Sequence, residues 1–140
     1  MPKAGRSLAL AAAVMLASLP PAATEPLAIH IHSDQAMFQV LVSPGTVGTD
    51  NFVLQLMTGD GSPLLAREAT LILSLPGSGI EPLERKAMRE ADGYWHLRDV
   101  PLPHPGRWHM RVDAVMAGSR KISLEDEFDV PARQGDPGGY

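Results

Sequence analysis

His30 and His32 stand one residue apart in the run Leu27-Ala28-Ile29-His30-Ile31-His32. Isoleucines alternate with the imidazoles. In an extended chain both histidines therefore lie on one face and both isoleucines on the other. Neutral imidazole is the commonest metal ligand among side chains, and two on one face can share an ion. Ser33-Asp34-Gln35 follows as a turn signal that can bring Met37 back beside the pair. Two imidazoles and a thioether suit copper, and the soft sulfur favours Cu(I). The expected metal ligands are His30, His32 and Met37, and the expected cofactor is a copper ion. The competing reading is a solvated edge strand that carries two histidines and no metal.

The remaining candidates are weaker. His96 alternates with Trp95 and Leu97, and His109 with Trp108 and Met110, so both imidazoles should point away from the core. His104 sits in the proline-rich crossing Pro101-Leu102-Pro103-His104-Pro105. Any of the three could complete a site with the first pair, but each alone reads as a surface imidazole. Met110 shares the apolar phase of Trp108 and reads as packing. Met57, Met88 and Met116 carry no spacing signal. Trp95, Trp108, Tyr94 and Phe38 read as core or near-core aromatics. No catalytic constellation emerges. Gly77-Ser78-Gly79 lacks the spacing of a nucleophile elbow. There is no cysteine nucleophile, no His-Glu-x-x-His zinc motif and no glycine-rich phosphate loop. The expectation is a protein that is not an enzyme.

Strands must position these residues. Phe52, Leu54 and Leu56 alternate with Val53, Gln55 and Met57. Ala69, Leu71 and Leu73 alternate with Thr70, Ile72 and Ser74, and Trp108, Met110 and Val112 with His109, Arg111 and Asp113. A period of two with one apolar face means a half-buried strand. Ser43-Pro44-Gly45, Gly59-Asp60-Gly61, Pro76-Gly77-Ser78-Gly79 and Asp92-Gly93 supply turns between them. The pattern predicts strands near 27–32, 36–42, 51–57, 68–75, 83–90, 93–99, 106–114 and 122–130. Short strands with frequent turns predict an all-β, Ig-like two-sheet β-sandwich of seven to eight strands. One run competes. Pro82 to Ala91 has helical composition, with Pro82 suited to a first helical position. A helix there would be short and its apolar stripe weak, and Asp92-Gly93 directly after it favours a hairpin. The acidic run Glu125-Asp126-Glu127, with Asp129 beyond it, reads as a charged edge that blocks strand addition. Recognition of a basic partner is the alternative.

The N-terminus has the layout of a secretory signal peptide: Lys3 and Arg6, an apolar run from Leu8 to Leu19, then Pro20-Pro21-Ala22-Ala23. The run is shorter than a membrane-spanning helix requires. The expected organisation is a leader at 1–23, cleaved near Ala22 or Ala23, one domain at 24–130, and a Gly- and Pro-rich disordered tail at 131–140. A periplasmic or otherwise exported location follows as the expected localisation. With no cysteine in the chain, disulfides and thiolate ligands are both closed off. Loss of Lys3 and Arg6 with the leader makes the net charge of −4 more negative by two, which argues against nucleic acid as a partner.

Several segments also resemble a known family. They are His30-Ile31-His32, Ser43-Pro44-Gly45, Asn51, Leu71-Ile72-Leu73-Ser74, Gly79-Ile80-Glu81-Pro82-Leu83, Asp92-Gly93-Tyr94-Trp95, Pro103 with Pro105-Gly106-Arg107-Trp108, and Arg111-Val112-Asp113-Ala114. In order and spacing they resemble the YtkA-like soluble domain found at the C-terminal end of CopD/YcnJ-type copper-resistance membrane proteins. The likeness runs from about His30 to Val130. It departs from that architecture by lacking the membrane helices, as a stand-alone module would. The resemblance implies a strand rather than a helix at 83–90. It implies a non-catalytic copper-handling function, and a copper-transport membrane protein or another envelope protein as partner. An envelope interaction module that binds no metal is the alternative.

Overall fold

The computed structural model describes residues 26–132. The expected leader and most of the expected tail lie outside that range. Among the described residues, nine strands form two antiparallel sheets that pack face to face as the expected sandwich. They are β1 (Leu27–His32), β2 (Ala36–Ser43), β3 (Gly48–Thr58), β4 (Ala66–Ser74), β5 (Leu83–Lys86), β6 (Met88–Arg89), β7 (Trp95–Leu102), β8 (Gly106–Met116) and β9 (Lys121–Val130). The first sheet has the order β1-β2-β3-β7-β6 and the second β5-β4-β8-β9. A short 3-10 turn at Ala117–Ser119 joins β8 to β9. No helix among the described residues is long and apolar enough to cross a membrane.

The core sits where the period-two pattern puts it. Leu71, Leu73, Trp108, Met110 and Val112 are all buried, together with Phe38, Val40, Phe52 and Leu54 from the opposite sheet. Phe52 of β3 meets Phe128 of β9 edge to face across the sandwich, with ring centroids 6.5 Å apart. The crossing from β7 to β8 is pinned by Trp108, whose Nε1–H donates to the His104 carbonyl at 2.9 Å. Tyr94 departs from the expected near-core placement. It is 38% exposed, because it belongs to the Asp92-Gly93 turn and not to the strand that follows.

Two departures from simple alternation shape the sheets. The segment expected as one strand at 83–90 is two strands in different sheets. β5 pairs with β4, the chain turns inward at buried Ala87, and β6 pairs with β7. The Ala87 N–H still donates to Ala69 O at 2.9 Å, so the crossing leaves no orphaned donor there. The strand expected at 93–99 runs instead from Trp95 to Leu102, through a bulge opposite Asn51. Asp99 adopts φ 57° there, and its N–H donates to Asn51 Oδ1 at 3.1 Å. The extra residue flips the inward phase from Trp95 and Leu97 to Val100 and Leu102.

Candidate metal centre

β1 is an edge strand of the first sheet. Ile29 and Ile31 are buried while His30 and His32 are exposed, so the two imidazoles share the outer face as their spacing predicts. The turn after His32 is held by Ser33. Its N–H donates to Ala36 O at 2.9 Å, and its hydroxyl oxygen accepts from the N–H groups of Gln35 and Ala36 at 3.1 and 3.2 Å. That turn sets the register of β1 on β2, with His32 opposite Met37 and His30 opposite Gln39. Directly opposed residues lie on the same face with Cβ atoms about 4.5–5.5 Å apart. Met37 is half-buried on this face, whereas Phe38 and Val40 point inward. His30 is diagonal to Met37, a relation that places Cβ atoms about 7–8 Å apart.

The β2–β3 pairing extends each row by one residue. Met37 lies opposite Met57, and Gln39 opposite Gln55. The outer face of β1–β2–β3 at this end therefore carries two rows, His32–Met37–Met57 and His30–Gln39–Gln55, with no charged side chain in either. Met57 is the residue that sequence reasoning passes over. The signal that could have found it is symmetry. Met37 and Met57 are equidistant from Val47, inside the turn that joins β2 to β3, so a tight hairpin must bring them together.

Turns close the end of the sheet beside the His32 row. Thr58 N–H donates to Ser62 O at 2.7 Å and Gly61 N–H to Thr58 O at 3.0 Å. Asp60 accepts from the Thr58 hydroxyl and from Ser62 N–H. Those bonds, the Thr58 hydroxyl foremost, hold the Asp60 carboxyl below its ordinary range. The turn folds back so that Pro63 bridges to Met57. It also abuts the β1–β2 turn, since a Cβ placed on Gly59 would stand 3.2 Å from Asp34 O. Beyond Met57 opens a surface groove of about 320 Å³ whose lining includes Gln55, Met57, Pro63, Asp92 and Tyr94. Asp34 and Asp60 bring negative charge to the turns at this end, and Arg89 and Lys121 line the adjoining grooves with positive charge.

The other three histidines are not brought to this place. His96 shares the outer face of the first sheet but lies on β7, opposite Val53 and beyond the Gln55 row. Its Nε2 is 2.8 Å from Asp92 Oδ2 and 3.8 Å from Glu90 Oε1. Both carboxyls sit below their ordinary range, Glu90 chiefly through its bond to Arg98 and Asp92 chiefly through the Tyr94 N–H. His96 is thus one member of an ion-pair cluster. His109 is on the second sheet, with Nε2 2.7 Å from Glu125 Oε1. His104 is in the β7–β8 crossing. Met110 is fully buried, as its phase predicts. Among the described residues no three His, Asp or Glu side chains converge as a metal site, so the His30–His32–Met37 corner depends on thioether sulfur.

No family model matches the chain, and no curated protein does. The fold has counterparts among solved structures. One is a copper-bound, singly substituted variant of FetP from uropathogenic Escherichia coli strain F11. It superposes with a TM-score of 0.55 at 9% identity, over 76% of this chain and 96% of that one. Another is the same strain's FetP as isolated after recombinant expression in the periplasm, with the same TM-score and identity over 77% of this chain and 96% of that one. At that identity the likeness is one of fold.

Proposed function

We propose that this chain is an exported, non-catalytic copper-handling module, and that His30, His32 and Met37 capture the ion reversibly. The observation that carries the reading is the β1–β2 register, which sets the Met37 thioether opposite His32 on the face that also presents His30. That donor set fits copper better than the harder divalent ions. The fold shared with copper-bound FetP agrees with it, as does the resemblance to the soluble domain of copper-resistance membrane proteins. The leader-like N-terminus supports export and so a compartment in which copper is met. The partner on this reading is a copper-transport membrane protein or another envelope protein.

Titration of the purified chain with copper should saturate near one ion per chain, because the corner has donors enough for a single ion. Binding should weaken on acidification, since protonated imidazole cannot coordinate. A chain that takes up no copper in either oxidation state would instead support an envelope interaction module that binds no metal.

A further inference from the structure

Building on the copper reading, we infer that Cu(I) is held by the cross-strand row His32, Met37 and Met57, with His30 outside that set. The register makes the case. The three residues are directly opposed on β1, β2 and β3, with Met37 in the middle. Neighbouring strands are about 4.7–4.9 Å apart, so an ion above Met37 stands about one strand spacing from His32 and from Met57. His30 is two residues further along β1, about 6.5–7 Å from the row, and two strands from Met57. Of the four donors His30 and Met57 are the farthest apart in the register, so each forms a more compact set with the shared pair than with the other. The face thus offers two overlapping donor sets that share His32 and Met37. The set with His30 has two nitrogens and one sulfur; the set with Met57 has one nitrogen and two sulfurs.

Ligand softness sorts the oxidation states between them. Thioethers select Cu(I), while Cu(II) prefers imidazole nitrogen in a tetragonal arrangement. Cu(II) is therefore assigned to the His30–His32 side and Cu(I) to the Met57 side. The surroundings favour a fixed row. The Ser33 turn holds β1 to β2, the Thr58–Ser62 turn holds the end of β3, and the two abut at Gly59. Both methionines are half-buried on the outer face.

The test is affinity under anaerobic reduction, measured by competition with a Cu(I) chelator, set beside Cu(II) affinity in air. Met57→Leu should weaken Cu(I) binding by at least about tenfold, the lower end of what loss of a metal ligand's supporting partner costs, and leave Cu(II) binding unchanged. His30→Ala should do the reverse, and His32→Ala should weaken both. X-ray absorption of the Cu(I)-loaded wild type should show two sulfur neighbours, a readout that does not depend on any variant folding. One sulfur neighbour, or Met57→Leu binding Cu(I) as tightly as wild type, overturns the row while leaving the copper reading intact. If His30→Ala and His32→Ala each leave both ions bound as in wild type, the copper reading falls instead.

Discussion

Two environments on the outer surface treat histidine in opposite ways: the charged strands β8 and β9 of the second sheet, with His96 on β7 of the first, and the corner of β1, β2 and β3. On the second sheet, β8 and β9 form a lattice of charges. Arg107 bridges to Glu127 and Asp129 at 3.2 and 3.1 Å, His109 meets Glu125 at 2.7 Å, and Arg111 meets Asp113 at 3.1 Å. On the first sheet, the corner of β1, β2 and β3 carries only imidazoles, amides and thioethers, and the hydrogen bonds of the described residues leave His30 and His32 without a side-chain partner. An imidazole already engaged by a carboxylate serves the charge network. One flanked by sulfur and amide is available to a soft metal. The residue type is the same in both places, and only the neighbours differ.

The edges differ in the same sense. β9 presents Glu125, Glu127 and Asp129, and Asp126 occupies an inward phase yet remains exposed. Such charges discourage another strand from adding to the edge. β1 has none, and its only polar side chains are the two histidines.

Both outer faces should contribute little to stability beside the layer between the sheets, which is what permits variants there to be read for function. Leu73 is fully buried, and Leu73→Ala should cost about 2–5 kcal/mol. Thr70, on the outward phase of the same strand, should cost within about 0.5 kcal/mol as Thr70→Ala. Denaturant melts of the two variants check this; equal losses would erase the distinction between interior and outer face.

A smaller effect sharpens the contrast between placements of carboxylates. Asp50 is only 1% exposed. Its Oδ2 accepts the Gly45 N–H at 2.7 Å, but Oδ1 has no hydrogen-bond partner. Burial raises its affinity for a proton above the ordinary value of 3.8, against the opposing pull of the Gly45 and Thr46 N–H groups. The folded state therefore holds that proton more tightly than the unfolded state, so the stability it contributes is present at low pH and lost as pH rises through the raised value. Glu90, lowered by Arg98, works the other way and loses its contribution as pH falls below 4.5. Melts of Asp50→Asn against wild type between about pH 3 and 7 should move in the variant's favour as pH rises. A difference that is flat across the range would mean the buried carboxyl carries no such penalty.

The alternating runs of β3, β4 and β8 made the interior legible, because burial of one face imposes a period of two regardless of which strands pair. Pairing itself was less legible. Nothing in Leu83-Glu84-Arg85-Lys86-Ala87-Met88-Arg89 marks the change of sheet except the lone small residue at Ala87. The Asp99 bulge was equally silent, since it replaces alternation with a three-residue step from Leu97 to Val100. The His30, His32 and Met37 corner was readable because its members lie within one tight hairpin. Met57 was harder to see, because its place beside Met37 shows only when residues are counted symmetrically about the β2–β3 turn, ten positions to either side of Val47. Tyr94 was misplaced for a related reason: the turn at Asp92-Gly93 ends one residue later than the aromatic pair suggests.

On the proposed reading copper binds at the His30, His32 and Met37 corner of the first sheet and not at the carboxylate-paired histidines. The direct measurement is copper stoichiometry and affinity for wild type, for His30→Ala with His32→Ala, and for His96→Ala with His109→Ala, each with its thermal melt. The first double variant should lose copper while its melt stays close to wild type, because both side chains are exposed. The second should bind as wild type does. If instead the first binds copper as tightly as wild type and the second does not, the site lies with the ion-paired histidines, and the contrast between the two environments is wrong.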